Sequence, residues 1–469
     1  MGKLLQGIYR VVWGPPGLLA ILGVGLYLSL RLGFLQVRLL PKALRGFFGR
    51  LFDSKHSGTG VSSFEALCTA LAATVGTGNL VGVAGAVCLG GPGAVFWMVL
   101  CAVLGMATKF AEVCLAIRYR VKVGGEIMGG PMYVMEKGLG KRFHPLAAAY
   151  CVFGVVAAFG VGNAAQINAC VCGTEEILAF FGKPMGQLGR LAVGLCIGVF
   201  VGAVLWGGAE KTGKAAVFLV PFAVAAYLLL CIGVLVLRRH AIAGAVQAIF
   251  RGAFSPRAVT GGMLGSAYQA LRVGCSRGVF TNEAGMGTAS IAHASAQVET
   301  PVEQGLMGVM EVFLDTVVMC TLTALVILVS GVPIPYGKDA GGILTTLAFR
   351  EVLGPWAGVG LGVILVLLAV ATVLGWGLYG IRCAQFLLGS GFGKWFLLSQ
   401  VVWSAASAVL DTATVWQLSE TVNVLMAFPN LVALVLLSGE VAAMAKEKPR
   451  PSEENRGRKL SRPLPWGRS

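Results

Sequence analysis

The feature that most limits what this chain can fold into is the recurrence of apolar segments long enough to cross a bilayer. A spanning helix needs roughly 20 consecutive apolar residues. Eleven segments of the 469-residue sequence reach that length, at approximately 14–35, 63–89, 92–118, 146–178, 187–208, 214–237, 261–295, 301–332, 356–385, 395–415 and 417–443. Only 12% of the residues are charged and 56% are hydrophobic, whereas a soluble domain carries roughly 25% charge. In lipid each backbone polar group must find a partner within the protein, which favours helices. The pattern predicts an all-α integral membrane protein in a cell membrane, in contact with lipid.

The formal net charge is +16, but most of the basic residues lie between the apolar spans. There they serve topology and contact with anionic lipid rather than nucleic acid. The twelve cysteines sit within apolar stretches, without CxxC or Cys/His zinc spacing, and are read as small packing hydrophobes. Lys and Arg are more than twice as frequent in the loops and tail on the C-terminal side as in the segments on the opposite side. That bias puts the C-terminus in the cytoplasm and, with an odd number of spans, the N-terminus outside. The basic segment 238–260 then falls outside and is expected to be an external loop, a surface helix or a lid. The first apolar run continues to about Leu35 with no clear cleavage site, so it is read as a retained helix.

Two stretches interrupt the apolar pattern. The first is Ala72-Ala73-Thr74-Val75-Gly76-Thr77-Gly78-Asn79; the second is Thr281-Asn282-Glu283-Ala284-Gly285-Met286-Gly287-Thr288. Glycine costs about 1 kcal/mol in a helix relative to alanine, so both mark places where a helix opens. Within a membrane, an opening is tolerated only where the freed backbone faces protein, water or ligand. Amides at the start of a half-helix attract a carboxylate, and carbonyls at the end of the preceding half attract a cation. Small residues also serve close helix packing, the simpler reading for Gly82, Gly85 and Gly90-Gly91.

Setting aside the leading helix leaves ten, divided five and five, with one break opening each half. An odd number of helices per half inverts the second half relative to the first, an arrangement suited to alternating access about a midplane site. The expected organisation is an N-terminal helix and basic loop at 1–62, a five-helix repeat at 63–237, and the external segment 238–260. A second five-helix repeat at 261–443 and a disordered basic tail at 444–469 complete it.

Charged groups within spans are costly and are usually functional or paired. Glu283 is either functional or in an ion pair with Arg277 or Arg272, and His293 is expected to be a hydrogen-bonded structural residue. Lys109 and Glu112, three apart on one helical face, are expected to pair. Glu311 and Asp315 stand four apart, with Glu311 expected nearer the cytoplasmic surface and Asp315 a second choice for a proton-coupling group. His-Glu-x-x-His is missing and the sequence holds only 4 histidines, so an intramembrane enzyme is disfavoured and no cofactor is implied.

Further ordered motifs accompany the breaks: Gly129-Gly130-Pro131-Met132-Tyr133, Phe159-Gly160-Val161-Gly162-Asn163-Ala164-Ala165-Gln166, Ala292-His293-Ala294 and Phe428-Pro429-Asn430-Leu431. With both breaks, this text strongly resembles the alanine or glycine:cation symporter family from about residue 10 to 440. The resemblance implies a leucine-transporter-like fold, a 5+5 inverted repeat plus one N-terminal helix, importing a small neutral amino acid with Na⁺. It assigns the substrate carboxylate to Gly76, Thr77, Gly78 and Asn79, and its polar end to Gln166, with Asn163 one turn before. Phe280, Thr281, Asn282 and Met286 would line the facing wall, and Trp376 would cap a small pocket. On the residues alone, Trp376 reads equally as core and Gln166 as interhelical glue.

Thr74, Val75 and Thr372 are the implied Na⁺ ligands. The family usually places Ser-Thr before Val/Ile-Leu-Gly-Trp; here the pair is Ala371-Thr372, one hydroxyl short. H⁺ coupling is the alternative and a passive channel a weaker one. A monomer is the simplest expected assembly.

Overall fold

The computed structural model describes residues 7, 13–51, 60–254, 267–338, 341–410 and 421–447. Nearly all of this is helix. Among the described residues six helices are long and apolar enough to cross a membrane: Gly93–Arg118, Lys141–Phe180, Gln187–Leu205, Gly208–Leu237, Pro301–Val329 and Trp356–Leu388. Two bent pairs, Ser63–Thr74 with Gly78–Gly90 and Thr421–Leu436 with Ser438–Lys446, raise the count to eight.

The sequence predicts eleven spans, and the difference lies in the shorter elements. Pro15–Arg31 is apolar but only 17 residues long. Ala267–Asn282 stops at the second break after 16 residues, and Gly393–Ser407 runs for 15. The expected boundaries at 255–266 and 411–420 lie outside the described residues, as does the expected tail from 448 onward. Ser438–Lys446 carries helix through residues 444–446, the first three of the tail expected to be disordered at 444–469.

Lipid offers no hydrophobic drive between helices, so they associate by close packing, which small residues permit. A Cβ on Gly375 of the long helix Trp356–Leu388 would stand 2.7 Å from the Cβ of Ala73. That contact seats the long helix against the first broken helix just before its break. Across the molecule, a Cβ on Gly274 would lie 2.2 Å from the carbonyl oxygen of Ala94, so Ala267–Asn282 lies directly on Gly93–Arg118. Gln187–Leu205 and Gly208–Leu237 keep many large apolar side chains exposed, including Leu188, Phe218 and Leu229, as lipid-facing helices do.

Within the segment 238–260, Ile242–Phe254 is a helix that turns Ala245, Ile249 and Ala253 inward. Trp97 Nε1 donates to the Ala253 carbonyl at 3.2 Å, pinning it to Gly93–Arg118. A feature not foreseen is a two-stranded antiparallel hairpin, Val121–Val123 with Glu126–Met128. Its Glu126 pairs with buried Arg382 of the long helix at 2.6 Å.

Candidate functional site

The first break begins from a well-defined helix. Ser62 and Glu65 form a reciprocal capping box that starts Ser63–Thr74. The helix ends as Val75 becomes extended (φ −80°, ψ 100°), and the chain resumes as a π-helical turn at Gly78–Gly82, bent by 51°. Asn79 braces the opening. Its Oδ1 accepts from the Gly76 N–H at 2.9 Å, and its Nδ2 donates to Asp315 Oδ1 at 2.7 Å and to the Asp315 carbonyl at 3.1 Å. The Asn79 amide is thus engaged by protein on both ends.

Gly76 and Gly78 are glycines because nothing larger fits. A Cβ on Gly76 would stand 2.6 Å from Thr372 Oγ1 and 3.5 Å from Gln166 Oε1; one on Gly78 would stand 2.8 Å from Thr281 Cγ2. Gly76, Thr77, Gln166, Thr281 and Thr372, named from sequence as one site, are therefore brought together. Gln166 follows a second π-helical turn, Gly160–Ala164, and its Nε2 donates to Thr77 Oγ1 at 3.3 Å and to the Val161 carbonyl at 3.2 Å. Its Oε1 is buried with no hydrogen-bond partner. An unpaired buried acceptor costs about 1–3 kcal/mol, a cost that a ligand donor would remove.

Of the implied cation ligands, Thr372 Oγ1 faces the Val75 carbonyl at 3.5 Å and donates to the Leu368 carbonyl at 3.0 Å. The Thr74 hydroxyl turns back along its own helix to the Ala70 carbonyl at 3.2 Å. Val75 and Thr372 therefore supply juxtaposed oxygens, and Thr74 offers its backbone only. Hard oxygen donors of this kind suit an alkali cation.

Trp376 lies one turn beyond Thr372, fully buried. A Cβ on Gly162 would fall 2.3 Å from Trp376 Cβ, and Trp376 Nε1 donates to Glu283 Oε1 at 3.1 Å. Asn163 turns elsewhere, donating from Nδ2 to Gln400 Oε1 at 2.6 Å and Ser404 Oγ at 2.8 Å. Phe280 packs near the Trp13 ring, with centroids 6.4 Å apart. Asn282 donates to Thr316 Oγ1 at 3.2 Å and accepts from the Ala284 N–H, while Met286 is fully buried.

The second break is a tight turn in which Glu283, Gly285 and Gly287 all have positive φ (53°, 98° and 78°). Its freed amides are taken by a side chain of the protein. Glu112 Oε1 accepts from the N–H groups of Gly285 at 2.9 Å and Gly287 at 3.0 Å, and from Asn430 Nδ2 at 2.7 Å. Glu112 is thus not paired with Lys109. Lys109 Nζ instead meets Glu311 Oε1 at 3.2 Å, whose other oxygen lies 3.0 Å from His293 Nε2. Gln304 joins His293 Nδ1 to Ser63, completing a buried chain between the two broken helices. Glu311 is therefore fully buried, its carboxylate shared between Lys109 and His293. Glu283 accepts from Thr288 and Trp376 instead of pairing with an arginine.

Glu112, Asn430, Asp315 and Thr316 are the residues that sequence reasoning left without this role. Asn430 lay within a motif already singled out, and the intramembrane charge of Glu112 was the only signal for it.

One cavity of about 370 Å³ reaches this region. Thr77, Val81, Ala165 and Asn168 line its inner part, and Glu176, Thr346 and Arg350 line it farther out. One of its walls, the helix Gly341–Leu353, is pinned to the first break where Thr345 Oγ1 donates to the Leu80 carbonyl at 2.9 Å.

Residues 1–459 match the profile of the sodium:alanine symporter family. The chain is 42% identical over 453 residues to an uncharacterized transporter of Haemophilus influenzae, covering 95% of each. It is 41% identical over 451 residues to the sodium/alanine symporter AgcS of Methanococcus maripaludis, covering 95% of this chain and 96% of that one. Among solved structures it is similar to MhsT in complex with L-phenylalanine. The TM-score is 0.58 at 15% identity, over 84% of this chain and 94% of that one. That likeness shows the fold, a helical transporter of the leucine-transporter kind. With the family match spanning nearly its whole length, the chain belongs to the sodium:alanine symporter family of amino-acid transporters.

Proposed function

We propose that this protein imports a small neutral amino acid, alanine or glycine, together with Na⁺ by alternating access. The observation that carries the reading is the unpaired, buried Gln166 Oε1 beside Gly76, at the point where the first helix opens. An ammonium group offers the donor that this oxygen lacks. The turn at Thr77 and Gly78, where a half-helix begins, presents its positive end to the carboxylate. Trp376 held against Gly162 and Glu283 leaves little room for a side chain, which favours alanine and glycine over larger substrates.

In this reading Na⁺ lies between the Val75 carbonyl and Thr372 Oγ1, next to Gly76, so that cation and substrate share one opened segment. Thr281, Asn282, Phe280 and Met286 form the facing wall, and Asn79 and Asn163 hold their helices in register. Coupling requires that Na⁺ bind one state better than the other. Closure of the first broken helix on the long helix supplies that difference, because it brings Val75 and Thr372 together. By linkage, substrate then tightens Na⁺ as much as Na⁺ tightens substrate.

The two five-helix halves, each opened by a break, are read as an inverted repeat following the N-terminal helix. The cavity beside Gly341–Leu353 faces outward, and the Arg382–Glu126 pair closes the cytoplasmic side. The C-terminus is cytoplasmic and the N-terminus external, on the charge bias of the loops. The protein acts as a monomer in lipid.

The test is uptake of labelled alanine and glycine into proteoliposomes under an inward Na⁺ gradient, against K⁺ and against a pH gradient alone. Saturable, Na⁺-dependent uptake is expected. Equal uptake in Na⁺ and K⁺ refutes sodium coupling. A second reading, H⁺ coupling, is favoured by one contact: Asp315 holds Asn79, the brace of the first break, at 2.7 Å. Under that reading a pH gradient alone drives uptake, and Asp315→Asn abolishes it.

A further inference from the structure

The cavity leading to Thr77 contains two groups that the central site does not use. Glu176 lies near the end of the helix Ala165–Phe180, and Arg350 lies on Gly341–Leu353. Both line the cavity, and among the described ion pairs no salt bridge joins them. They nevertheless stand side by side. A Cβ on Gly358 would lie 3.1 Å from Arg350 Cδ and 3.2 Å from Glu176 Oε1. The adjacent Glu175 is already held by Arg190 at 2.7 Å, which leaves Glu176 as the carboxylate that faces the cavity. Its remaining polar contact, a Thr346 hydroxyl at 3.5 Å, is long.

We propose that Glu176 and Arg350 form an outer binding station for the zwitterionic backbone of an amino acid, ahead of the central site. An opposite-charge pair that has not closed on itself offers one acceptor for an α-ammonium and one bidentate donor for an α-carboxylate. Both ends of a zwitterion are read at once, and a molecule carrying only one of the charges leaves one partner unsatisfied. The 370 Å³ of the cavity accommodates a small amino acid with water, and its wall continues through Asn168 to Thr77. Side chains are not read here, because the rest of the lining is largely apolar and open. The station thus selects the substrate class, while Gly162 and Trp376 select its size.

This inference rests on the amino-acid import reading, and the experiment separates the two. The full chain in proteoliposomes is assayed for Na⁺-driven alanine uptake, with propionate and alaninamide as competitors that each lack one charge. Glu176→Gln and Arg350→Gln are each expected to raise the KM for alanine about tenfold, the scale of one hydrogen bond to a charged group, and to change Vmax less. Glu176→Gln leaves competition by propionate unchanged, and Arg350→Gln leaves competition by alaninamide unchanged. Arg350→Lys keeps the charge and restores most of the affinity. An active wild type whose KM stays within twofold in both neutral variants overturns the station alone. So does an equal loss for all three compounds, which marks a structural role. A wild type that takes up neither alanine nor glycine overturns the import reading and the station with it.

Discussion

Replacing Glu112 tests whether the second break is held shut by the protein itself. Three donors converge on Glu112 Oε1: the N–H groups of Gly285 and Gly287 and one N–H of Asn430, at 2.9, 3.0 and 2.7 Å. All lie where water does not reach. Glu112→Ala removes the acceptor and leaves three buried donors unpaired, at about 1–3 kcal/mol each. Asn430 keeps its second bond, to the Gly285 carbonyl at 2.9 Å, so the loss falls chiefly on the two backbone amides. The expected destabilisation is roughly 3–6 kcal/mol. Glu112→Gln keeps one oxygen in place and puts its amide where Oε2 has no partner. It forgoes only charge assistance and adds an orphan donor, a cost of roughly 1–2 kcal/mol. The assay is thermal unfolding of purified protein in detergent, followed by size-exclusion chromatography of heated samples. The expected order of midpoints is wild type, then Gln, then Ala well below both. If Glu112→Ala melts with the wild type, the carboxylate does not hold the turn and the reasoning fails.

Gly76→Ala should cut uptake by at least about a hundredfold, because a 2.6 Å contact with Thr372 Oγ1 forces apart the helices that frame the site. Gly82→Ala is its control: nothing lies within 4 Å of the added Cβ, and uptake near the wild-type rate is expected. Lys109→Met leaves Glu311 buried with only His293, so a loss of roughly 3–5 kcal/mol is expected. The double variant Lys109→Met, Glu311→Met should melt above either single one, and strict additivity would dissolve the pair. Ala371→Ser adds a hydroxyl beside Thr372. The Na⁺ concentration for half-maximal uptake should fall about fivefold, and it should rise with Thr372→Ala, as one oxygen ligand worth about 1 kcal/mol predicts. Indifference to both changes would place the cation elsewhere.

The sequence made the breaks legible because glycine and asparagine are costly within a membrane helix. To Gly76 and Thr77 the family resemblance added Gln166 and Thr372, and the fold gathers these four within a few ångströms. It misread the buried charges because their partners are remote in the chain. Local spacing joined Lys109 to Glu112, whereas Lys109 finds Glu311, 202 residues away, and Glu112 finds Asn430, 318 residues away. Helical periodicity ranks only neighbours three and four apart. Packing decides among distant partners, and a single sequence does not encode that choice in any spacing.

As strings of residues the two breaks look equivalent; their difference lies in what occupies the freed backbone. At the second break Glu112 already supplies a carboxylate to the Gly285 and Gly287 amides, in the manner of a ligand built into the protein. A substrate carboxylate would have to displace a tethered group that carries no translational cost of its own, so this break is a joint rather than a receptor. At the first break the brace is the neutral Asn79, which satisfies Gly76 alone, and beside it stands Gln166 with an unpaired oxygen. An asymmetric pair of breaks suits a transporter. One is fixed so that its half of the structure moves as a body; the other is left incomplete so that cation and substrate finish it. If that division holds, removing the brace by Asn79→Ala should weaken substrate and Na⁺ together, whereas Glu112→Gln should lower stability with little change in either affinity.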